Sequence, residues 1–353
     1  MILILGLWLA VLGEPGPESL EAHVAALDAG VAEHEQKLAG AAWPSVSRGG
    51  PLSLGDRGPR VAELRARLLA SEAWTTTSTT PDLFDADLAL ALGGFQARHG
   101  LDADGVLGPR TAAALAVSPR ARLRQLSQTR ARLARFHPRG DRALVINIPA
   151  FRLELWEGTR TAFRSKVVVG RPDRPTPTLS STITEIVLNP HWWVPEHIFA
   201  RDLLERFRAD PGLVERQGFI VLDRAGKTVD PRTVDWASVP ADAPTYRLCQ
   251  EPGPSNALGR IKFLFSNAHG VYLHDTASPQ LFERARRAFS SGCVRVERAL
   301  ELAEQISPGV TVHLAGSDSV RAALPAPLAI HIVYWLAGLD DDGRLELWDD
   351  VYR

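Results

Sequence analysis

The sequence predicts a multidomain α+β protein: a small three-helix module, then a mainly β unit closing as a twisted, barrel-like sandwich. Three observations carry that expectation. At 353 residues the chain is longer than one ordinary domain. Up to about residue 135 its apolar residues recur at helical spacing. From Ala143 the period changes to that of strands.

Met1 to Leu12 is an apolar run followed by Gly-Glu-Pro-Gly-Pro. It is too short to span a bilayer as a helix. Residues 1–13 read as an export signal or membrane tether, although the usual basic stretch ahead of the apolar run is missing. Residues 14–46 form a helical scaffold, with Leu20, Val24, Leu27, Val31 and Leu38 on one face. Residues 47–118 are the helical module. Val61, Leu64, Leu68 and Leu69 mark its first helix, Leu88 to His99 its second and Thr111 to Leu115 its third. Asp104, Gly105, Gly108 and Thr111 give a DGxxGxxT pattern, in which glycines supply positive φ and Thr111 caps a helix. Asp102 and Asp104 also alternate like calcium ligands, but a distal bidentate glutamate is missing. Residues 119–140 are an arginine-rich linking helix striped by Leu123, Leu126 and Leu133.

The β unit covers residues 141–320. Strands are expected at 143–148, 151–156, 163–169, 182–188, 261–265, 270–273 and 310–314. An insertion at about 196–245 begins with a helix and continues as a polar, turn-rich segment. Residues 321–353 read as a strand and hairpin extension turning at Asp340 to Gly343.

Composition is that of an ordinary globular chain, with 45% hydrophobic and 23% charged residues. A net charge of −1 implies no polyanion-binding surface, so no nucleic-acid partner is expected. Two cysteines give no disulfide framework.

The chemistry concentrates in residues 269–296, which hold His274 at a strand end and Cys293 in Ser-Ser-Gly-Cys-Val-Arg. A thiolate attacks acyl carbons, and a neighbouring imidazole can take the proton and return it to the leaving amine. A helix is expected from Glu297, so Cys293 should sit just ahead of a positive helix terminus. Gly292 lets backbone N–H groups turn toward an oxyanion, and its own N–H is an expected donor. The competing reading is a buried small thiol and a satisfied core histidine. A zinc site at His191, His269 and Cys293 would lack a compact ligand pair, so neither metal nor cofactor is expected.

The His274 to Arg295 segment resembles the signature of the L,D-transpeptidases, the YkuD-type catalytic domain. VLNPHWWVP (187–195), CQEPGPSNALGRIKFLFSN (249–267) and VYLHDT (271–276) resemble its large, two-domain branch. The DGxxGxxT pattern resembles the peptidoglycan-binding three-helix module. Ser291 stands where many members carry a second histidine, and Cys249 where relatives tend to carry arginine.

The resemblance implies Cys293 as nucleophile, His274 as general acid/base and Asp275 orienting His274. Orientation would come through the main-chain carbonyl of Asp275, with its side chain the alternative. Substrate contacts are expected at Arg295, Tyr272, Trp192 and Ser290. Arg295 either holds a stem carboxylate or pairs with an acid to brace the turn. Tyr272 and Trp192 either line the groove or pack in the core. The implied partners are peptidoglycan stem peptides, a tetrapeptide donor and a diamino-acid acceptor. The implied place is the periplasm or cell envelope. The insertion is implied to cap the site. A stem-trimming cysteine hydrolase and a noncatalytic wall-binding protein are the alternatives.

Overall fold

The computed structural model describes residues 19–72, 74–138, 140–241 and 245–353. The expected export segment lies outside the described residues. Helix α1, Leu20–Leu38, starts where the Ser19 hydroxyl accepts the Ala22 N–H at 3.1 Å. Its Val31 packs with Leu126 of α5, Pro119–Leu133. Arg130 of α5 bonds Asp28 at 3.1 Å and Glu35 at 2.9 Å across that contact.

Between them lie α2, Pro59–Ser71; α3, Ala86–Arg98; and α4, Pro109–Leu115. They share a core of Val61, Leu64, Leu68, Phe84, Leu88, Leu92 and Phe95. Thr111 does not cap α4 as expected. The cap position is Gly108, and Thr111 is buried, its hydroxyl accepting from Gln96 Nε2 at 3.0 Å. Asp104 also accepts from Gln96, at 2.7 Å, so the motif fastens the third helix to the second.

The β unit is a closed barrel with a second, smaller sheet set into it. Its first strands are β1, Arg142–Asn147; β2, Arg152–Glu157; β3, Arg160–Gly170; and β4, Leu179–Leu188. The inserted sheet follows: β5, Trp192–Trp193; β6, Phe219–Leu222; β7, Thr228–Val229; and β8, Arg247–Gln250. The barrel resumes with β9, Ile261–Phe265; β10, Leu273–His274; β11, Ala288–Ser290; β12, Val294–Val296; and β13, Val320–Val333. A hairpin of β14, Ala337–Leu339, and β15, Leu345–Leu347, follows. Pairings run β3-β12-β10-β9-β4-β13-β1-β2 and return to β3, with β11 on β3. Ile146, Leu155, Val167, Ile186, Phe263, Leu273, Val294 and Ile330 fill the interior.

Three expectations change here. Of the C-terminal segment the hairpin forms, but its strand is no extension, because β13 lies between β4 and β1 inside the barrel wall. Residues 310–314 are a 3₁₀ turn, Val310–Ala315, rather than a strand. Only Val310 and Leu314 are buried, four apart, while Val312 is 67% exposed; a strand would have put all three on one face. The insertion is also wider than 196–245, because Trp192 pairs with Gln250 and Trp193 with Cys249. It carries its own core of Phe199, Phe207, Phe219, Val221, Trp236 and Leu248.

Candidate active site

Strand alternation builds the site. In β9, Ile261, Phe263 and Phe265 point into the barrel, leaving Lys262 on the other face. Register then sets Lys262 beside His274 of β10, and His274 beside Arg295 of β12. On the interior face the same rungs stack Phe263, Leu273 and Val294. Tyr272 precedes Leu273 and Cys293 precedes Val294, so by the same alternation both share the face of His274 and Arg295. Cys293 and His274 are thus diagonal neighbours on adjacent strands. Among the described residues no hydrogen bond joins them; such bonds often tighten only when substrate binds.

His274 is only 5% exposed, and its Nδ1 lies 2.5 Å from the Asp275 carbonyl oxygen. A carbonyl only accepts, so Nδ1 carries the proton and Nε2 keeps its lone pair. Among the described residues Nε2 takes no hydrogen bond. Burial, then the Arg295 charge, push the imidazole down to about 3, with Lys262 adding to the effect against the Asp275 carbonyl. The Asp275 side chain faces elsewhere, accepting the Arg260 N–H at 2.9 Å. Of the two orienting groups expected, the main-chain carbonyl is the one in place.

Cys293 is half-buried on this face. Burial pushes its thiol up, while hydrogen bonding from Tyr272 and the charges of Lys262 and Arg295 pull it back. The expected helix terminus is not behind it. Val294–Val296 forms a barrel strand, and the helix after it, Ala299–Ile306, begins beyond that strand. The alternating Val-Arg-Val, in register with β10, outcompetes helix at this point.

Gly292 adopts φ +117, which favours glycine. Its N–H is not free for an oxyanion, however, because it donates to Ser290 Oγ at 3.1 Å. Ser290 is likewise not a substrate contact. It is 3% exposed, and its hydroxyl donates to the Cys293 carbonyl at 2.5 Å, closing the turn on itself. Among the described residues the Cys293 N–H makes no backbone or side-chain hydrogen bond, so it is the amide of this turn left free to donate.

Arg295 pairs with no acid among the described residues, and its buried Nε has no partner. Of its two expected roles, bracing through an acid drops out. Tyr272 is half-buried against the barrel core, 5.6 Å from the His274 ring, with Lys262 Nζ 3.8 Å from its ring centre. Burial pushes its hydroxyl well up, with the neighbouring Cys293 adding to the effect and Trp192 opposing it. Trp192 packs on the insertion core.

Sequence reasoning passed over four residues that build this site. Lys262 is one, legible from the alternation of IKFLF. Thr176 is another: it accepts the Gly170 N–H at 2.8 Å and donates to the Gly292 carbonyl at 2.8 Å. Arg174 and Asp202 are the others. Arg174 bonds Asp202 at 2.5 Å and Ser291 at 2.9 Å, and Ser291 donates to Asp202 at 3.2 Å. No local pattern announces contacts between segments so distant in sequence.

A half-buried thiol beside a neutral, oriented imidazole on a barrel rim has the groups needed for acyl transfer through sulfur. Residues 141–314 match the family described as L,D-transpeptidase catalytic domain, and residues 57–115 match the "Putative peptidoglycan binding domain". A domain similar to the L,D-transpeptidase catalytic domain thus follows one similar to the peptidoglycan-binding domain.

A Haemophilus influenzae protein named "Putative L,D-transpeptidase" is 36% identical over 216 residues. That alignment covers 59% of this chain and 44% of the relative, so the chain spans less than half of the relative's length. Among solved structures, an L,D-transpeptidase of Stackebrandtia nassauensis is 14% identical over 83% of this chain and 97% of its own, with a TM-score of 0.31. One from Xylanimonas cellulosilytica is 17% identical over 81% and 99%, with a TM-score of 0.26.

Proposed function

We propose that this protein forms 3–3 cross-links between peptidoglycan stem peptides through a thioester on Cys293. The observation that supports this most is the shared face of Cys293 and His274, with the imidazole oriented by the Asp275 carbonyl. Cys293 Sγ attacks the carbonyl of the third, L-configured residue of a tetrapeptide stem. The thiol proton passes to His274 Nε2 and then to the amine of the departing D-amino acid. The bond between third and fourth residues breaks, leaving the third residue as a thioester. A side-chain amine of a second stem's diamino acid attacks that thioester. It loses its proton to His274, which passes it to the departing sulfur and so releases Cys293 as thiol. The Cys293 N–H supports the oxyanion in both halves.

The substrate class puts the reaction outside the cytoplasm, so we assign the protein to the cell envelope, exported or tethered through residues 1–13. The peptidoglycan-binding domain would hold the chain on its polymeric substrate. Mass spectrometry of the intact protein with a tetrapeptide-stem muropeptide tests the first half-reaction. An adduct of the donor minus its terminal D-residue, mapped to the Cys293 peptide, is expected. A carbapenem should leave an adduct on the same peptide. Donor turnover with no adduct on Cys293, or with one on another residue, overturns the mechanism.

A further inference from the structure

We propose that Lys262, together with Arg295, balances the negative charge on the Cys293 sulfur, in place of an imidazolium at His274. The inference rests on the proposed nucleophile. Lys262, His274 and Arg295 occupy one cross-strand row, so the imidazole stands between two cations on the face that carries Cys293. Among the described residues neither cation has a carboxylate partner or a hydrogen bond to an acceptor. Lys262 Nζ instead rests 3.8 Å from the ring centre of Tyr272, the residue beside Cys293. A half-buried lysine with only an aromatic face beneath it is poorly compensated unless an anion joins it.

The charged and titratable groups facing this site are Lys262 from β9, Tyr272 and His274 from β10, and Arg295 from β12. Glu185 of β4 shares this face and is bonded to Arg321 of β13, which adds a weaker positive influence on Lys262. The thiol is the group among them that must carry negative charge to attack an acyl carbon. The two cations pull its ionisation down while both push the imidazole away from protonation. A charge-separated thiolate–imidazolium pair is therefore opposed at the imidazole, while at the sulfur the two cations act against the burial that pushes the thiol up. On ionisation in the substrate-free protein the proton leaves for solvent and the thiolate remains beside two cations and a neutral ring, whereas a thiol still protonated when substrate is bound passes its proton to His274 as the attack proceeds.

The test is the pH profile of Cys293 alkylation by iodoacetamide in the full chain, read by mass on the Cys293 peptide. In the wild type one inflection is expected, that of the thiol. In Lys262→Met the midpoint should move up by about a unit or more, roughly tenfold less thiolate at a fixed lower pH. Lys262→Arg should restore it, and a thermal melt identifies any variant that fails to fold. A Lys262→Met midpoint superimposed on the wild type overturns the proposal. So does a low-pH reactive plateau in the wild type, the signature of an imidazolium pair. A raised KM for donor with an unmoved midpoint makes Lys262 a carboxylate contact and also overturns it. Alkylation needs no muropeptide, so failure here is separate from failure of the transpeptidation reading.

Discussion

At the residue scale the account turns on which nitrogen and which amide are free. His274 is held neutral by burial between Arg295 and Lys262. Between about pH 3 and its ordinary value of 6.5, the unfolded chain takes up a proton there that the folded chain refuses. Stability at this position therefore falls as pH drops through that window. His274→Asn removes the linkage, so its melting temperature should fall less between pH 7 and pH 5 than that of the wild type; parallel slopes would contradict the neutral imidazole. Gly259 is a second sensitive point. It has φ +62, and a Cβ there would meet the Asp275 carboxylate oxygen at 2.3 Å. Gly259→Ala should displace the Asp275 side chain from the Arg260 N–H and lower activity together with melting temperature. The residue types of the site were legible because Gly-Cys-Val-Arg and Leu-His-Asp name their chemistry. The use of each backbone N–H was not, since only the folded turn shows that Ser290 has already taken that of Gly292.

At the element scale the inserted subdomain meets the Cys293 turn through a polar junction. Asp202 of the insertion accepts from Arg174 and Ser291, with Arg171 at 3.6 Å. Burial pushes this carboxyl up, but those partners outweigh it and hold it below the ordinary carboxylate range. Its contribution is then present above the unfolded carboxylate value and is lost as pH falls through the lowered one. Asp202→Ala should speed amide exchange in residues 171–178 and 196–209 while leaving the barrel core protected; unchanged exchange would separate the insertion from the turn. Strand periods and the 340–343 turn were readable because their side chains alternate or cluster locally. The capture of β13 between β4 and β1 was not readable, since pairing partners lie far along the chain. The same limit hid the strand at Cys293. A helical pattern lies just beyond it, and only the partner strand decides where that pattern begins.

At the scale of the whole molecule, the helical module and the barrel are joined through helices α1 and α5. Leu336 N–H donates to Thr129 of α5 at 3.1 Å, and Gln125 of α5 donates to the Trp348 carbonyl at 3.3 Å. The barrel interior behind the site should carry much of the stability. Phe263 is fully buried there, so Phe263→Ala should cost about 3–5 kcal/mol, seen as a lower denaturant midpoint. A loss below about 1 kcal/mol would mean that the wall behind Lys262 and His274 repacks easily. The most direct measurement of the central claim is mass analysis of products from purified protein incubated with tetrapeptide-stem muropeptides. Wild type should give 3–3-linked dimers and released terminal D-residue, and Cys293→Ala neither. Tripeptide monomers without dimers, or dimers that persist in Cys293→Ala, would contradict it.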